Sequence, residues 1–139
     1  MQIVKANFNH LDHLALLFNA YRILYKLRSN INGVKAFLEN RIKANESIIY
    51  IAYSDDTAVG FTQLNPLNSL NSLNSSVSMQ SMYVLNNLYV HNDYRQKGIG
   101  KTLINKAKQL CVLENNKSLA IQTDFDNPAQ QLYTRCTLD

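Results

Sequence analysis

The chain has 139 residues, of which 46% are hydrophobic and 17% are charged, enough for one domain with one buried core. No apolar run approaches the length of a membrane span, the N-terminus lacks the basic and apolar segments of a signal peptide, and two distant cysteines make no disulfide framework. These features exclude a two-domain enzyme and a membrane partner. We therefore expect one cytoplasmic domain over residues 1–139.

The net charge of +4 is unevenly distributed along the chain. Residues 94–117 carry six Lys or Arg and one Glu, whereas the rest of the chain sums to −1. A local positive region suits an anionic ligand held at one place. Aromatic residues do not interleave with these charges, so we expect no nucleic-acid partner.

The first third of the sequence predicts a short strand and two amphipathic helices. The strand covers residues 3–6, and apolar residues at helical spacing then run over 11–25, with Asn9 as the N-cap. A second helical pattern over 34–44 follows a turn-like segment at 29–33.

The middle of the sequence predicts a hairpin followed by a long loop. Residues 47–53 and 58–64 are rich in β-branched and aromatic side chains and flank a turn at Asp55-Asp56-Thr57. Residues 65–78 are mostly Asn and Ser and repeat Leu-Asn-Ser three times. A period of three fits neither a strand nor a helix face, so we interpret 65–78 as a low-complexity loop.

The last third predicts a strand, a helix, a strand and a short helix. Asn86-Asn87 interrupts the first strand, at 79–90, as a bulge or splay would. A basic helix follows Gly98-Ile-Gly100, a strand covers 119–123, and Asn127-Pro128 opens the final helix. The buried face of the basic helix is predicted to comprise Leu103, Ile104, Ala107, Leu110 and Cys111.

The turn before the basic helix is the most informative segment. It reads Tyr94-Arg-Gln-Lys-Gly-Ile-Gly100-Lys-Thr and holds two of the four glycines. Glycine here lets backbone N–H groups converge at a helix N-terminus, where an anion is favoured, and Arg95 and Lys97 would add charge for a phosphate. An ordinary turn before a surface helix is the alternative. Arg95 excludes a Walker A loop and Leu103 a Rossmann fingerprint, because each stands where the motif requires glycine.

Arg95-x-x-Gly98-x-Gly100, after a strand ending in Leu-Tyr-Val, resembles the pyrophosphate-binding signature of the GNAT superfamily of acyl-CoA-dependent N-acyltransferases. The order β-α-α-β-β-β-α-β-α and the later pattern Asn127-x-Ala-x-x-Leu-Tyr133 are also similar to that family, so the resemblance covers nearly the whole chain. It implies an α/β fold with a mixed, mainly antiparallel central sheet flanked by helices.

The resemblance further implies transfer of acetyl from acetyl-CoA, as co-substrate, to a primary amine of a small molecule or peptide by direct attack. Leu88, Tyr89 and Val90 would offer main-chain groups to the pantetheine arm as an added strand would. Asn127 would bind the same arm, cap the last helix, or do both. The coenzyme pyrophosphate would be held by Arg95, Gln96, Lys97, Gly98, Ile99, Gly100 and Lys101.

Tyr133 stands at the position of the family's general acid, which would protonate the departing thiolate. Core packing is the alternative role for this side chain. The strand 79–90 has no Glu, so a water chain is the default base, with His91 and Asp93 as alternative relays. The acceptor wall would involve Tyr21, Arg22, Tyr25 and Arg28, whose alternatives are core packing for the tyrosines and solvation for the arginines.

The C-terminal sequence departs from the family pattern. Members generally continue into two more strands, whereas this sequence ends with Arg135-Cys-Thr-Leu-Asp139. We therefore expect a truncated sheet that lacks the last two strands and leaves an edge at 119–123. Three alternatives stay open: an inactive acyl-CoA-binding remnant, a homodimer that covers the edge, and a minimal active enzyme. His and Cys residues lack metal-ligand spacing, so we predict no metal.

Overall fold

The computed structural model describes residues 1–44, 47–67, 82–113 and 119–121, and only the backbone at 66–67, 82 and 119–121. Single-turn 3-10 helices lie at Phe8–His10 and Asn92–Tyr94. The predicted final helix, with Asn127 and Tyr133, lies outside the described residues. The helices and strands are β1 (Gln2–Lys5), α1 (Leu11–Leu24), α2 (Ile31–Lys43), β2 (Ile48–Ser54), β3 (Thr57–Leu67), β4 (Met82–Val90), α3 (Ile99–Leu113) and β5 (Leu119–Ile121).

The five described strands form one mixed sheet in the order β1-β2-β3-β4-β5. The first three pairings are antiparallel, and β4 pairs with β5 in parallel. A tight turn at Asp55 and Asp56 joins β2 to β3, with Asp55 at a φ of 54°. The α/β fold with a mainly antiparallel sheet flanked by helices, expected from the sequence, is therefore confirmed.

The start of α1 differs from the prediction. Asn9 was expected to be the N-cap, but α1 begins at Leu11 and its N-cap residue is His10, which makes no side-chain capping bond. The capping asparagine is Asn7, whose Oδ1 accepts a hydrogen bond of 2.8 Å from the Asn9 N–H and so starts the preceding 3-10 turn. The prediction for Asn9 is wrong because a 3-10 turn, which the apolar periodicity does not indicate, precedes α1.

The start of α2 also differs, because the predicted turn at 29–33 is partly helical. Asn30 is the N-cap of α2, and its Oδ1 accepts a hydrogen bond of 3.1 Å from the Gly33 N–H. This bond satisfies one of the free donors at the helix start and brings Ile31 to Gly33 into the first turn. Buried Asn19 of α1 fixes the connection, since its Oδ1 accepts from the Asn30 N–H and its Nδ2 donates to Ser29 Oγ.

The hairpin and the loop have different boundaries from those predicted, because the paired residues of β3 extend beyond the predicted apolar segment at both ends. Thr57, expected in the turn, opens β3 opposite Ser54. The predicted loop at 65–78 is wrong for Asn65 to Leu67, which continue β3 and pair with β4, Asn65 opposite Val84. The remainder of that loop lies outside the described residues.

Helices cover both faces of the sheet and bury two apolar clusters. On one face, Leu14 of α1 and Leu38 of α2 pack in one cluster with Phe61 of β3. On the other face, α3 buries most of its predicted apolar side against β2, β3 and β4, and Leu110 is partly buried there. The carboxyl end of β4 and the N-terminus of α3 therefore lie next to each other at one end of the sheet. None of the described helices is long and apolar enough to cross a membrane.

Candidate functional site

The residues predicted to hold a phosphate, 95–101, are called the phosphate turn. They follow β4 and the 3-10 turn at Asn92–Tyr94 and continue into the N-terminus of α3. Two residues of the phosphate turn have left-handed backbone conformations, Gln96 with a φ of 64° and Gly98 with a φ of 81°. A Cβ atom on Gly98 would meet nothing within 4 Å. Glycine at 98 therefore serves the backbone conformation and not close packing.

The turn presents exposed backbone beside a buried helix start. Gln96, Lys97 and Gly98 are exposed, whereas Ile99 and Gly100 are buried. The Thr102 N–H donates a 3.0 Å hydrogen bond to the Gly98 oxygen, which closes the first turn of α3. The N–H groups before Thr102 have no acceptor within the helix and lie at its positive end, so this turn can bind an anion.

The Arg95 side chain is tied to the protein at the base of this turn. Its Nε donates a 3.0 Å hydrogen bond to the main-chain oxygen of Val90, and its guanidinium lies 5.9 Å from the ring centroid of Tyr89. Lys97 Nζ lies 5.3 Å from the ring centroid of Tyr94. The sequence prediction treated both cations as phosphate ligands, and the structure gives Arg95 an additional part in holding the turn against β4.

His91 and Asp93, predicted as alternative proton relays, contact each other in the 3-10 turn. His91 Nδ1 accepts a 3.2 Å hydrogen bond from the Asp93 N–H, which caps the 3-10 turn. The same nitrogen lies 3.8 Å from Asp93 Oδ2. The side chain of His91 is 45% exposed and that of Asp93 is 79% exposed.

The end of β4 has main-chain groups on the edge toward β5. The described pairs between these strands join Tyr83, Val84 and Leu85 to β5, whose last described residue, Ile121, is opposite Leu85. Leu88 and Tyr89 are buried and Val90 is half-buried. The residues predicted to bind the pantetheine arm are therefore the last three of β4 and lie directly before the turn.

A β-bulge lies at the predicted interruption of β4. Gln63 of β3 is opposite Asn87 and Leu64 is opposite Leu85, so Asn86 is the extra residue. The extra residue shifts the alternation of side chains along the strand, and both Leu85 and Leu88 therefore face α3. The asparagine pair was correctly predicted to mark a bulge.

Asn87 joins three elements through a polar network. Its Oδ1 accepts a 2.9 Å hydrogen bond from the Tyr21 hydroxyl of α1, and its Nδ2 donates a 2.7 Å bond to Gln63 Oε1 of β3. Gln63 Nε2 donates to Ser47 Oγ at 3.0 Å, and Thr62 Oγ1 donates to the Asn87 main-chain oxygen at 2.8 Å. Gln63 was not predicted from the sequence, although a lone glutamine in an apolar strand is a signal for a buried polar partner.

Tyr21 lies against β4 and packs on the core cluster, a position that fits both the predicted acceptor wall and the alternative role in core packing. Its ring packs edge-on against Tyr89 and Phe61, with centroids 6.0 and 5.8 Å apart, and against Tyr25 at 5.0 Å. Arg28 is exposed in the connection between α1 and α2. Of the four residues predicted for the wall, Tyr21 is therefore the one with a described hydrogen bond to β4.

Two buried polar atoms near these elements accept or donate no hydrogen bond within the described part of the chain: Arg22 Nε in α1 and Asn86 Oδ1 in the bulge. Buried groups of this kind are normally paired in native proteins. They mark positions where a bound ligand can supply the partner.

Burial raises the pKa of the Tyr89 phenol, and the positive charge of Arg95 partly opposes that shift. Tyr89 is therefore a neutral hydrogen-bonding and stacking group at physiological pH. The described residues contain no group of three or more His, Cys, Asp or Glu side chains that could hold a metal ion. Asn127 and Tyr133 lie outside these residues, and their roles stay predictions.

Residues 14–137 match the acetyltransferase (GNAT) family model, and the chain belongs to this family. It is 39% identical over 134 residues to an uncharacterized N-acetyltransferase of Bacillus subtilis, YhfO, covering 96% of this chain and 86% of that protein. It is 35% identical to a probable acetyltransferase of Haemophilus influenzae, covering 88% and 80% of the two chains.

Solved structures have the same architecture. The crystal structure of a probable acetyltransferase is 36% identical, with a TM-score of 0.86 over 96% of this chain and 87% of that one. An aminoglycoside N-acetyltransferase solved in complex with CoA has a TM-score of 0.72 at 22% identity, over 94% and 82% of the two chains. The second likeness concerns the fold alone.

Proposed function

We propose that this protein is an N-acetyltransferase that transfers acetyl from acetyl-CoA to a primary amine of a small molecule or peptide. The observation that carries the proposal is the exposed turn with left-handed Gln96 and Gly98 at the positive end of α3. Because this turn follows directly after β4, one ligand with a pyrophosphate and an extended amide arm would contact both the turn and the main chain of Leu88 to Val90.

In this proposal the coenzyme binds along two neighbouring surfaces. Backbone N–H groups from Gln96 to Lys101 hold the pyrophosphate, while Arg95 clamps the turn to Val90 and contributes charge. Main-chain groups of Leu88 to Val90 pair with the pantetheine arm, and Asn127 assists there. We place the protein in the cytoplasm, as expected from its sequence.

The proposed reaction is direct attack of the amine on the thioester carbonyl. A C–N bond forms, the tetrahedral intermediate collapses and the C–S bond breaks. The departing sulfur takes a proton from the Tyr133 hydroxyl, and the amine loses its proton to water. The described part of β4 contains no carboxylate, which supports water as the base.

The first test is the melting temperature of the 139-residue protein against acetyl-CoA concentration. A ligand that binds only the folded state adds about 2.7 kcal/mol of stability at one hundred times its Kd. We expect a saturable rise that is lost in Gly98→Pro and kept in Asn105→Ala, a change at an exposed position of α3. A cooperatively folded protein with no rise would contradict the coenzyme site.

The second test measures release of free coenzyme A thiol with an L-amino acid, a polyamine, an aminoglycoside and a short peptide as acceptors. The proposal predicts release above the background rate with at least one amine. Acetyl-CoA binding without release for any amine class would instead favour a binding protein that has lost activity.

A further inference from the structure

The side chain of Asn86 differs from the other polar groups around the bulge. Its Oδ1 is buried and accepts no hydrogen bond within the described part of the chain. Taking an amide oxygen out of water without a partner destabilises the folded state. A group that provides an N–H at this point would remove that cost.

The position of Asn86 follows from the strand register. It is the extra residue between the pairs Gln63–Asn87 and Leu64–Leu85. A bulge turns a side chain away from the regular alternation and interrupts the ladder at the same place. Asn86 lies in β4 two residues before Leu88, the first of the residues along which the proposed coenzyme arm would lie.

The backbone that carries Asn86 is held in place on one side by Asn87. The Asn87 side chain bonds to Tyr21 and Gln63, and its main-chain oxygen accepts from Thr62 Oγ1. Gln63 and Thr62 are buried, with 3% and 0% of their surfaces exposed. The bulge is therefore anchored to α1 and β3 before any ligand binds, and Asn86 is preorganised.

We propose that Asn86 Oδ1 accepts a hydrogen bond from an N–H group of the bound substrates and is a binding residue for acetyl transfer. Two N–H groups meet at the proposed reaction centre, one from a pantetheine amide of acetyl-CoA and one from the incoming amine. The inference rests on the proposed function. It assigns a neutral acceptor to a strand whose described part has no carboxylate.

The test compares Asn86→Ala with the native protein in three measurements. These are the Kd of acetyl-CoA, the Kd of adenosine 3′,5′-bisphosphate, which lacks the pantetheine arm, and kcat/KM for the panel amine with the fastest thiol release. If the pantetheine amide is the donor, acetyl-CoA binds about tenfold more weakly and the bisphosphate is unaffected. If the amine is the donor, kcat/KM falls about tenfold while both Kd values are unchanged.

Two further variants separate binding from folding. Asn86→Asp keeps an oxygen acceptor at the same place, so it retains the affected parameter better than Asn86→Ala does. Asn105→Ala removes an exposed asparagine from α3 and leaves all three measurements unchanged.

Unchanged values in Asn86→Ala would overturn the inference and identify Asn86 Oδ1 as an atom satisfied by water. A parallel fall in all three, together with a lower melting temperature, would overturn it in favour of a structural role. A native protein that binds neither acetyl-CoA nor the bisphosphate would overturn the proposed function itself, and the inference with it.

Discussion

The Nε atom of Arg95 donates a 3.0 Å hydrogen bond to the main-chain oxygen of Val90, which ties the first residue of the phosphate turn to the last residue of β4. The guanidinium also lies over the Tyr89 ring and 3.4 Å from Asn92 Oδ1. One planar side chain thus spans the base of the turn.

We expect Arg95→Lys to weaken acetyl-CoA binding even though the charge is kept. A lysine ammonium cannot make the same planar contacts, so the turn loses a hydrogen bond worth about 1 kcal/mol and becomes less well ordered. Calorimetric Kd values and urea unfolding check both effects. Lys43→Arg, at an exposed position of α2, is the control. An affinity equal to that of the native protein in Arg95→Lys would mean that charge alone matters at this position.

Substitutions at 96 and 98 should change stability in opposite directions. Both residues have positive φ, so Gly98→Ala introduces a side chain into a left-handed conformation and costs about 1 kcal/mol. Gln96→Gly relieves the same penalty and adds about 0.5 kcal/mol. Urea unfolding of the two single variants measures the effects, and equal signs would show that the turn does not keep this backbone conformation in solution.

The polar network at the bulge should appear as energetic coupling between two residues that bond to the same side chain, Asn87. Gln63→Leu removes the partner of Nδ2 of half-buried Asn87 and should lower the free energy of unfolding by about 1–3 kcal/mol. Tyr21→Phe removes the bond to Asn87 Oδ1 and should cost about 1 kcal/mol. Because both act through Asn87, we expect the double variant to deviate from additivity by at least about 0.5 kcal/mol.

The control for that cycle is Tyr53→Phe combined with Gln63→Leu. Tyr53 bonds to His13 and stands outside the network, so its effect should be additive with that of Gln63. Additivity in the Tyr21 cycle as well would contradict a connected network.

Tyr89 should contribute to the loss of stability at alkaline pH. Burial raises the pKa of its phenol above the unfolded value of 10.0, so its contribution is fully present below pH 10 and is lost as pH rises through the folded pKa. In Tyr89→Phe, the free energy of unfolding should therefore decline less steeply above pH 10 than in the native protein. An identical slope would mean that Tyr89 titrates alike in the folded and unfolded states.

Tyr133→Phe tests the proposed general acid. General acids typically contribute at least 100-fold, so kcat should fall by about that factor while the Kd of acetyl-CoA is unchanged. Steady-state thiol release and calorimetry provide the two values, with Tyr53→Phe as the control. A native kcat would leave Tyr133 with a packing role.

Features governed by neighbouring residues were accessible from the sequence. The glycine-containing turn and the bulge at Asn86-Asn87 depend on local conformation, and the structure places both where the spacing indicated. The helix α3 was expected after Gly100 but begins two residues earlier, at Ile99. Spacing did not distinguish between two nearby asparagines as the capping residue. Asn9 was predicted, whereas Asn7 is the residue that caps the 3-10 turn.

The sequence by itself determined the family, the order of the described helices and strands, and the positive turn, because these follow from short-range spacing and composition. Tertiary structure alone decided that Asn87 meets Gln63, 24 residues away, and Tyr21, 66 residues away. It also decided that Arg95 bonds to Val90 as well as carrying charge. These contacts depend on strand register and on how α1 lies across the sheet, and both are set by burial of the whole apolar core.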